Sequence, residues 1–135
     1  MPDAFPELQE LAGWLGQQPP SPLTTTTSPL VYGYVRTPES QPSYAEACAD
    51  LLTWWSVARG WRLGVIFRDV GVGCAHEARP GFTGLLDVLQ LPEAAFALVV
   101  TSDHLDRRPT EATRRTAKIR RTGCQVRILA DEVTA

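Results

Sequence analysis

The chain has 135 residues, 44% of them hydrophobic and 21% charged, and its net charge is −2. This length suits one domain with a core of its own, and the composition excludes an intrinsically disordered chain. No run reaches the roughly 18 apolar residues of a membrane span, and Asp3, Glu7 and Glu10 stand where a secretory signal would be basic. The sequence therefore predicts a cytoplasmic protein without membrane contact.

The N-terminal residues 1–17 predict an amphipathic helix over residues 4–17, with Asp3 as its N-cap. Its apolar residues recur at helical spacing: Phe5, Leu8, Leu11, Ala12 and Leu15. Residues 18–29 are rich in proline and threonine and predict a linker. The helix must bury its apolar stripe on its own domain or on a partner, and from this we predict a homodimer whose contact includes the helix.

Strands and helices alternate from residue 30 to the end of the chain. The apolar patterns predict strands over residues 30–36, 61–67, 95–101 and 125–129. Helices are predicted over residues 43–59, from Pro80 onward, and over 109–122, with Gly60 ending the first of these. Residues 30–135 therefore predict an α/β domain with a mostly parallel sheet of four to five strands and helices on both faces.

Functional residues cluster by position at one edge of this predicted sheet. Arg36, Asp69 and Asp103 fall at or just after the carboxyl ends of three strands, and Arg107 follows closely. Active sites of open α/β sheets lie outside these strand ends. We therefore expect these side chains to share one site.

Five segments, in matching order, resemble the catalytic domain of the serine recombinases, the resolvases and invertases. They are residues 31–38 (Val-Tyr-Gly-Tyr-Val-Arg-Thr-Pro), 67–73 (Phe-Arg-Asp-Val-Gly-Val-Gly), 79–82 (Arg-Pro-Gly-Phe), 99–107 (Val-Val-Thr-Ser-Asp-His-Leu-Asp-Arg) and 123–129 (Gly-Cys-Gln-Val-Arg-Ile-Leu). The resemblance implies a fold in which a serine attacks DNA phosphodiesters while arginines stabilise the charge on the phosphate.

The resemblance also implies a degenerate site. Pro38 stands at the position of the nucleophilic serine, and His104 stands where an arginine is expected. Arg36, Arg79 and Arg107 match the remaining arginines, and Asp103 matches the acid beside them. Because proline has neither a hydroxyl nor an N–H, we expect a catalytically inactive domain that acts as an interaction or regulatory module associated with DNA.

Two other functions stay open. Ser40 lies two residues after Pro38 and would be the nucleophile of an active strand-exchange enzyme. Alternatively, the arginine-lined edge binds a small phosphate ligand or nucleotide, as a binding protein or an enzyme. Cys74 beside His76 is a weaker candidate for a nucleophile and base, because no third orienting group is evident.

No cofactor or metal is predicted. The three cysteines lack CxxC spacing, which argues against a disulfide framework and a thiolate zinc site. Oxygen and imidazole ligands occur near the sheet edge, but without metal-binding spacing: Asp69, His76, Glu77, Asp103 and His104.

Basic residues are concentrated in residues 107–127, where Glu111 is the single acid. Candidates for phosphate or DNA contact in this stretch are Arg107, Arg108, Arg114, Arg115 and Lys118, besides Arg36 and Arg79. Since the rest of the chain is acidic, we expect weak DNA binding at most, and a solvated helix face is an equally good explanation. Small serine recombinases continue into a long dimerisation helix and a DNA reader; from the printed residues after Leu129 we expect neither.

Overall fold

A four-stranded parallel sheet forms the centre of the molecule. The computed structural model describes residues 4–19, 23–38, 41–71 and 79–134. The strands are β1 (Leu30–Thr37), β2 (Arg62–Val70), β3 (Ala94–Val99) and β4 (Gln125–Ile128), in the order β2-β1-β3-β4. The predicted parallel α/β fold is confirmed, with four strands.

Helices cover both faces of the sheet, as a parallel sheet requires. They are α1 (Pro6–Gly16), α2 (Pro42–Arg59), α3 (Pro80–Leu89), α4 (Pro109–Arg121) and α5 (Leu129–Thr134). On one face α1, α2 and α5 share a core around Leu51 and Trp55, and on the other α3 and α4 share a core around Phe82 and Ile119. In the described part of the chain, no helix is both long and apolar enough to cross a membrane.

Proline and glycine set several helix ends. Each of the first four helices has a proline in its first turn, where the missing N–H costs nothing and the fixed φ suits a helix. Gly60 ends α2 in the left-handed region, with φ at 72°. The N-cap of α1 is Phe5, with Pro6 following it, whereas the predicted cap, Asp3, lies outside the described residues.

Several strand ends differ from the prediction, and β3 ends at Val99, two residues earlier than expected. β2 continues past Phe67 to Val70, because Asp69 and Val70 pair with Arg36 and Thr37 at the end of β1. β4 ends at Ile128, and residues 129–134 form the short helix α5 where we had expected only a tail. Periodicity in a short segment does not reveal where cross-strand pairing stops.

The N-terminal helix packs on its own domain. Leu8, Leu11 and Leu15 of α1 are buried in the same core cluster as α2 and α5, and the ring of Phe5 meets that of Tyr44 edge to face at 5.1 Å. The stripe from which we predicted a dimer is therefore already covered within the chain. A dimer through this helix loses its physical basis.

Candidate active site

A cavity of about 280 Å³ opens at the carboxyl edge of the sheet, where β1 ends. It brings together most of the predicted site residues with side chains from α1 and α2. Its walls are formed by Glu7, Arg36, Thr37, Pro38, Gln41, Tyr44, Thr101, Asp103, His104 and Arg107. Of the four side chains that we expected to share one site, Arg36, Asp103 and Arg107 line this cavity. Asp69 does not.

Arg36 is buried at the end of β1 and hydrogen-bonded to the turn that follows β3. Its backbone N–H donates to Nδ1 of His104 at 3.0 Å, and its Nη2 donates to the carbonyl oxygen of Asp103 at 2.6 Å. Both acceptors belong to the single 3-10 turn Ser102–His104. The guanidinium thus holds the turn against β1 and keeps the carboxylate-bearing Asp103 at the cavity.

His104 is a neutral, buried imidazole. Burial, and next the charge of Arg36, lower its pKa to about 4. Because Nδ1 accepts a hydrogen bond, the ring proton is assigned to Nε2, which lies 3.8 Å from the Sγ of Cys48. Burial raises the pKa of the Cys48 thiol to about 12. At neutral pH this pair is uncharged, so it is neither a phosphate-binding cation nor a thiolate nucleophile.

Arg79, which we expected beside Arg36, is engaged elsewhere. It is buried, donates through Nη1 to the carbonyl oxygen of Leu105, and places Nη2 3.3 Å from Oδ2 of Asp106. The carboxylate of Asp106 is fully buried and also accepts from Arg108 at 3.1 Å. Sequence reasoning assigned Arg79 to phosphate and overlooked Asp106, although a buried guanidinium needs a counter-charge.

Asp69 ties β2 to the start of α3. Its carboxylate accepts from the backbone N–H groups of Gly81 and Phe82 at 2.8 and 3.0 Å, and from the hydroxyl of Tyr34 at 2.7 Å. Burial, and next the hydrogen bond to Asp69, raise the pKa of Tyr34. This acid therefore caps a helix.

The family model "Resolvase, N terminal domain" matches residues 31–135. The chain belongs to this family. Among curated protein sequences, none matches the chain at a significant level.

Solved structures similar to this resolvase domain are serine recombinase domains. The N-terminal catalytic domain of TP901-1 integrase has a TM-score of 0.68 at 20% identity, covering 76% of this chain and 79% of that one. A resolvase family site-specific recombinase from Streptococcus pneumoniae has a TM-score of 0.66 at 17% identity, covering 77% and 74%. The C-terminal catalytic domain of ISC1926 TnpA, an IS607-like serine recombinase, has a TM-score of 0.66 at 18% identity, covering 74% and 69%. At these identities the likeness shows the fold.

In this resolvase domain Pro38 is half-buried on the cavity wall, directly after Thr37. The alternative nucleophile Ser40 lies outside the described residues, as do Cys74, His76 and Glu77. Within the described ranges, no three His, Cys, Asp or Glu side chains lie close enough to hold a metal ion.

The basic residues after β3 divide into two groups. Arg108 and Arg115 form ion pairs with Asp106, and the guanidinium of Arg115 also lies over the ring of Phe82, 5.1 Å from its centroid. Arg107, Arg114 and Lys118 are exposed, although Arg114 pairs with Glu111 at 3.1 Å. Arg108 is exposed as well, but its guanidinium pairs with Asp106.

Sequence reasoning missed residues of the cavity and a buried partner of Arg79. Glu7 and Tyr44 line the cavity because α1 packs on α2, a tertiary contact that leaves no local signal in the sequence. Asp106 stands directly beside Arg107, and its pairing with the distant Arg79 is visible only once the chain is folded.

Proposed function

We propose that this resolvase domain does not cleave DNA and acts as an interaction or regulatory module associated with DNA. The observation that carries the proposal is Pro38 on the cavity wall beside Arg36. A proline side chain has no hydroxyl or thiol, and its nitrogen has no proton to donate. Strand exchange through a covalent phosphoserine requires a nucleophile at this place, and the residue offers none.

The state of the arginines supports the same proposal. The guanidinium of Arg36 donates to the Asp103 carbonyl oxygen, and that of Arg79 is bound to Leu105 and Asp106. Catalysis of phosphoryl transfer needs guanidinium groups aimed at the developing charge on the phosphate. Here two of the three matching arginines satisfy acceptors of their own chain.

The third line of support is His104. The family resemblance places an arginine at this position, but the imidazole is buried and its pKa lies near 4. It therefore contributes no positive charge at neutral pH. Loss of charge here and loss of the nucleophile at Pro38 weaken the same step.

Association with DNA is proposed through the solvent-exposed cations near α4. Arg107, Arg114 and Lys118 would contact the phosphate backbone without reading bases. With so few contacts and an acidic remainder, binding should be weak and should fall steeply with salt.

The proposal is tested by incubating the full-length protein with supercoiled plasmid and separating the products on a denaturing gel. We expect no nicked circle, no recombinant and no covalent protein–DNA adduct. The Ser40→Ala variant serves as the matched control. An adduct that forms with the wild-type protein and disappears in this variant would contradict the proposal and identify Ser40 as a relocated nucleophile.

A second candidate function is binding of a small phosphate compound in the cavity. It is favoured by Arg107, whose exposed side chain lines the cavity together with Arg36. A ligand at one hundred times its Kd stabilises a protein by about 2.7 kcal/mol, so a thermal-shift screen of nucleotides and sugar phosphates would detect it. A shift abolished by Arg107→Gln supports this function, and no shift with any phosphate compound argues against it.

A further inference from the structure

The helix α1 lies outside the residues that the family model matches, yet it forms part of the site. The match begins at residue 31, whereas α1 spans Pro6–Gly16. Its leucines are buried in the core shared with α2 and α5, so α1 has a fixed position relative to the sheet. The edge-to-face contact between Phe5 and Tyr44 secures the end of α1 that is nearer the cavity.

Glu7 of α1 contributes a carboxylate to the cavity that also contains Arg36 and Arg107. The raised pKa of Tyr44 and of Cys48 has burial as its main cause, and the charge of Glu7 adds to both. The carboxylate is therefore close enough to act on groups of the cavity wall. The cavity is therefore lined by two acidic residues, Glu7 and Asp103, as well as by two arginines.

We propose that Glu7 is a specificity-determining residue that weakens the binding of phosphate groups in the cavity. A carboxylate and a phosphate carry charge of the same sign and accept the same guanidinium donors. Glu7 therefore repels an incoming phosphate that Arg107, on the same cavity wall, attracts. This inference goes beyond the proposed function, because it concerns ligand selection and does not depend on whether a nucleophile is present.

The structure offers one purely structural role for the same residue. Glu7 lies in the first turn of α1, where an acidic side chain stabilises the helix N-terminus. A stabilising role alone would change the melting temperature without changing phosphate affinity. The two roles are therefore separated by measuring both quantities on the same variants.

The experiment compares full-length wild-type protein with Glu7→Gln and Glu10→Gln by isothermal titration with inorganic pyrophosphate at low ionic strength. Glu10 is exposed on the same helix and does not line the cavity, so its variant makes an equal change in net charge away from the site. We expect Glu7→Gln to raise pyrophosphate affinity about threefold to tenfold, the size of one short-range charge interaction near a protein surface. Glu10→Gln should leave the affinity within about twofold.

Two further arms make the outcome decisive. The gain should disappear in the double variant Glu7→Gln/Arg107→Gln, since Arg107 supplies the guanidinium that attracts the probe. A labelled DNA duplex of arbitrary sequence, titrated in parallel, distinguishes the source of the phosphate: a gain with pyrophosphate alone indicates a small ligand, and a gain with both indicates a nucleic-acid backbone. Equal effects of the Glu7 and Glu10 variants, or no gain with either probe, would overturn the inference.

The titration and the plasmid assay test the two proposals independently. A covalent DNA adduct would contradict the non-catalytic proposal and leave the effect of Glu7→Gln on pyrophosphate affinity as it is. Conversely, an unchanged pyrophosphate affinity in Glu7→Gln would show that Glu7 does not influence phosphate binding. The argument from Pro38 would be unaffected.

Discussion

Arg79 and Asp106 form a buried ion pair, with Nη2 and Oδ2 3.3 Å apart and side-chain exposures of 1% and 0%. The pair joins the residue before α3 to the segment after the Ser102–His104 turn. An arginine that the resolvase pattern assigns to phosphate thus stabilises the connection between two parts of the fold.

Asp106→Asn should destabilise the protein by about 3–5 kcal/mol, because it leaves the guanidinium of Arg79 buried without a counter-charge. Urea denaturation measures the change in the free energy of unfolding. The control is Arg108→Gln, whose side chain is 54% exposed and whose loss should cost about 1 kcal/mol or less. A loss below 1 kcal/mol for Asp106→Asn would show that the pair does not hold the fold.

Gly81→Ala should be strongly destabilising. A Cβ at this position would lie 2.8 Å from the carbonyl oxygen of Arg68, so α3 would have to move away from β2 and from the carboxylate of Asp69. Gly13→Ala is the matched control, since its Cβ would meet nothing within 4 Å and α1 should gain about 0.5–1 kcal/mol of stability. Melting temperatures that change in the same direction for both variants would contradict this packing.

Acid should destabilise the protein through His104. Its pKa is lowered from 6.5 to about 4 in the folded chain, so the unfolded state binds more protons between these pH values. The free energy of unfolding should therefore fall as pH drops from 6.5 toward 4, by up to about 1.4 kcal/mol per pH unit, with no contribution from this residue above that window. Denaturation series at several pH values check this, with His104→Gln as the variant that lacks the slope. Identical slopes in the two proteins would refute a buried, neutral imidazole.

Leu8→Ala should cost about 2–5 kcal/mol, because Leu8 is 1% exposed in the core shared with α2. Since α1 packs on its own chain, the melting temperature of both proteins should be independent of protein concentration. Leu23→Ala, at a residue 90% exposed, should change stability by less than about 0.5 kcal/mol. A concentration-dependent midpoint that Leu8→Ala removes would restore the dimer.

Most of the fold could be predicted from local pattern. The burial of Leu51 and Trp55 follows from helical spacing, and Gly60 marks the end of α2 because a left-handed cap suits glycine. What could not be predicted was set by contacts between distant segments. β2 extends to Val70 through its pairing with β1, and α1 packs on its own domain through the core that it shares with α2.

The site divides in the same way. Arg36 and Asp103 could be placed because both lie at or near strand ends on one edge of a parallel sheet. The engagement of Arg79 by Asp106 could not, because residue type and position do not show whether a buried guanidinium faces a ligand or a carboxylate of its own chain. The neutral state of His104 likewise results from burial, which the sequence does not display.

Mass spectrometry tests the absence of covalent chemistry on DNA without knowledge of a DNA target. The full-length chain is expressed in cells, purified under denaturing conditions, digested with nuclease and protease, and searched for peptides that carry a nucleotide. An active serine recombinase handled identically serves as the positive control. We expect no nucleotide on any residue. A nucleotide linked to Ser40, absent after Ser40→Ala, would contradict a domain without covalent chemistry.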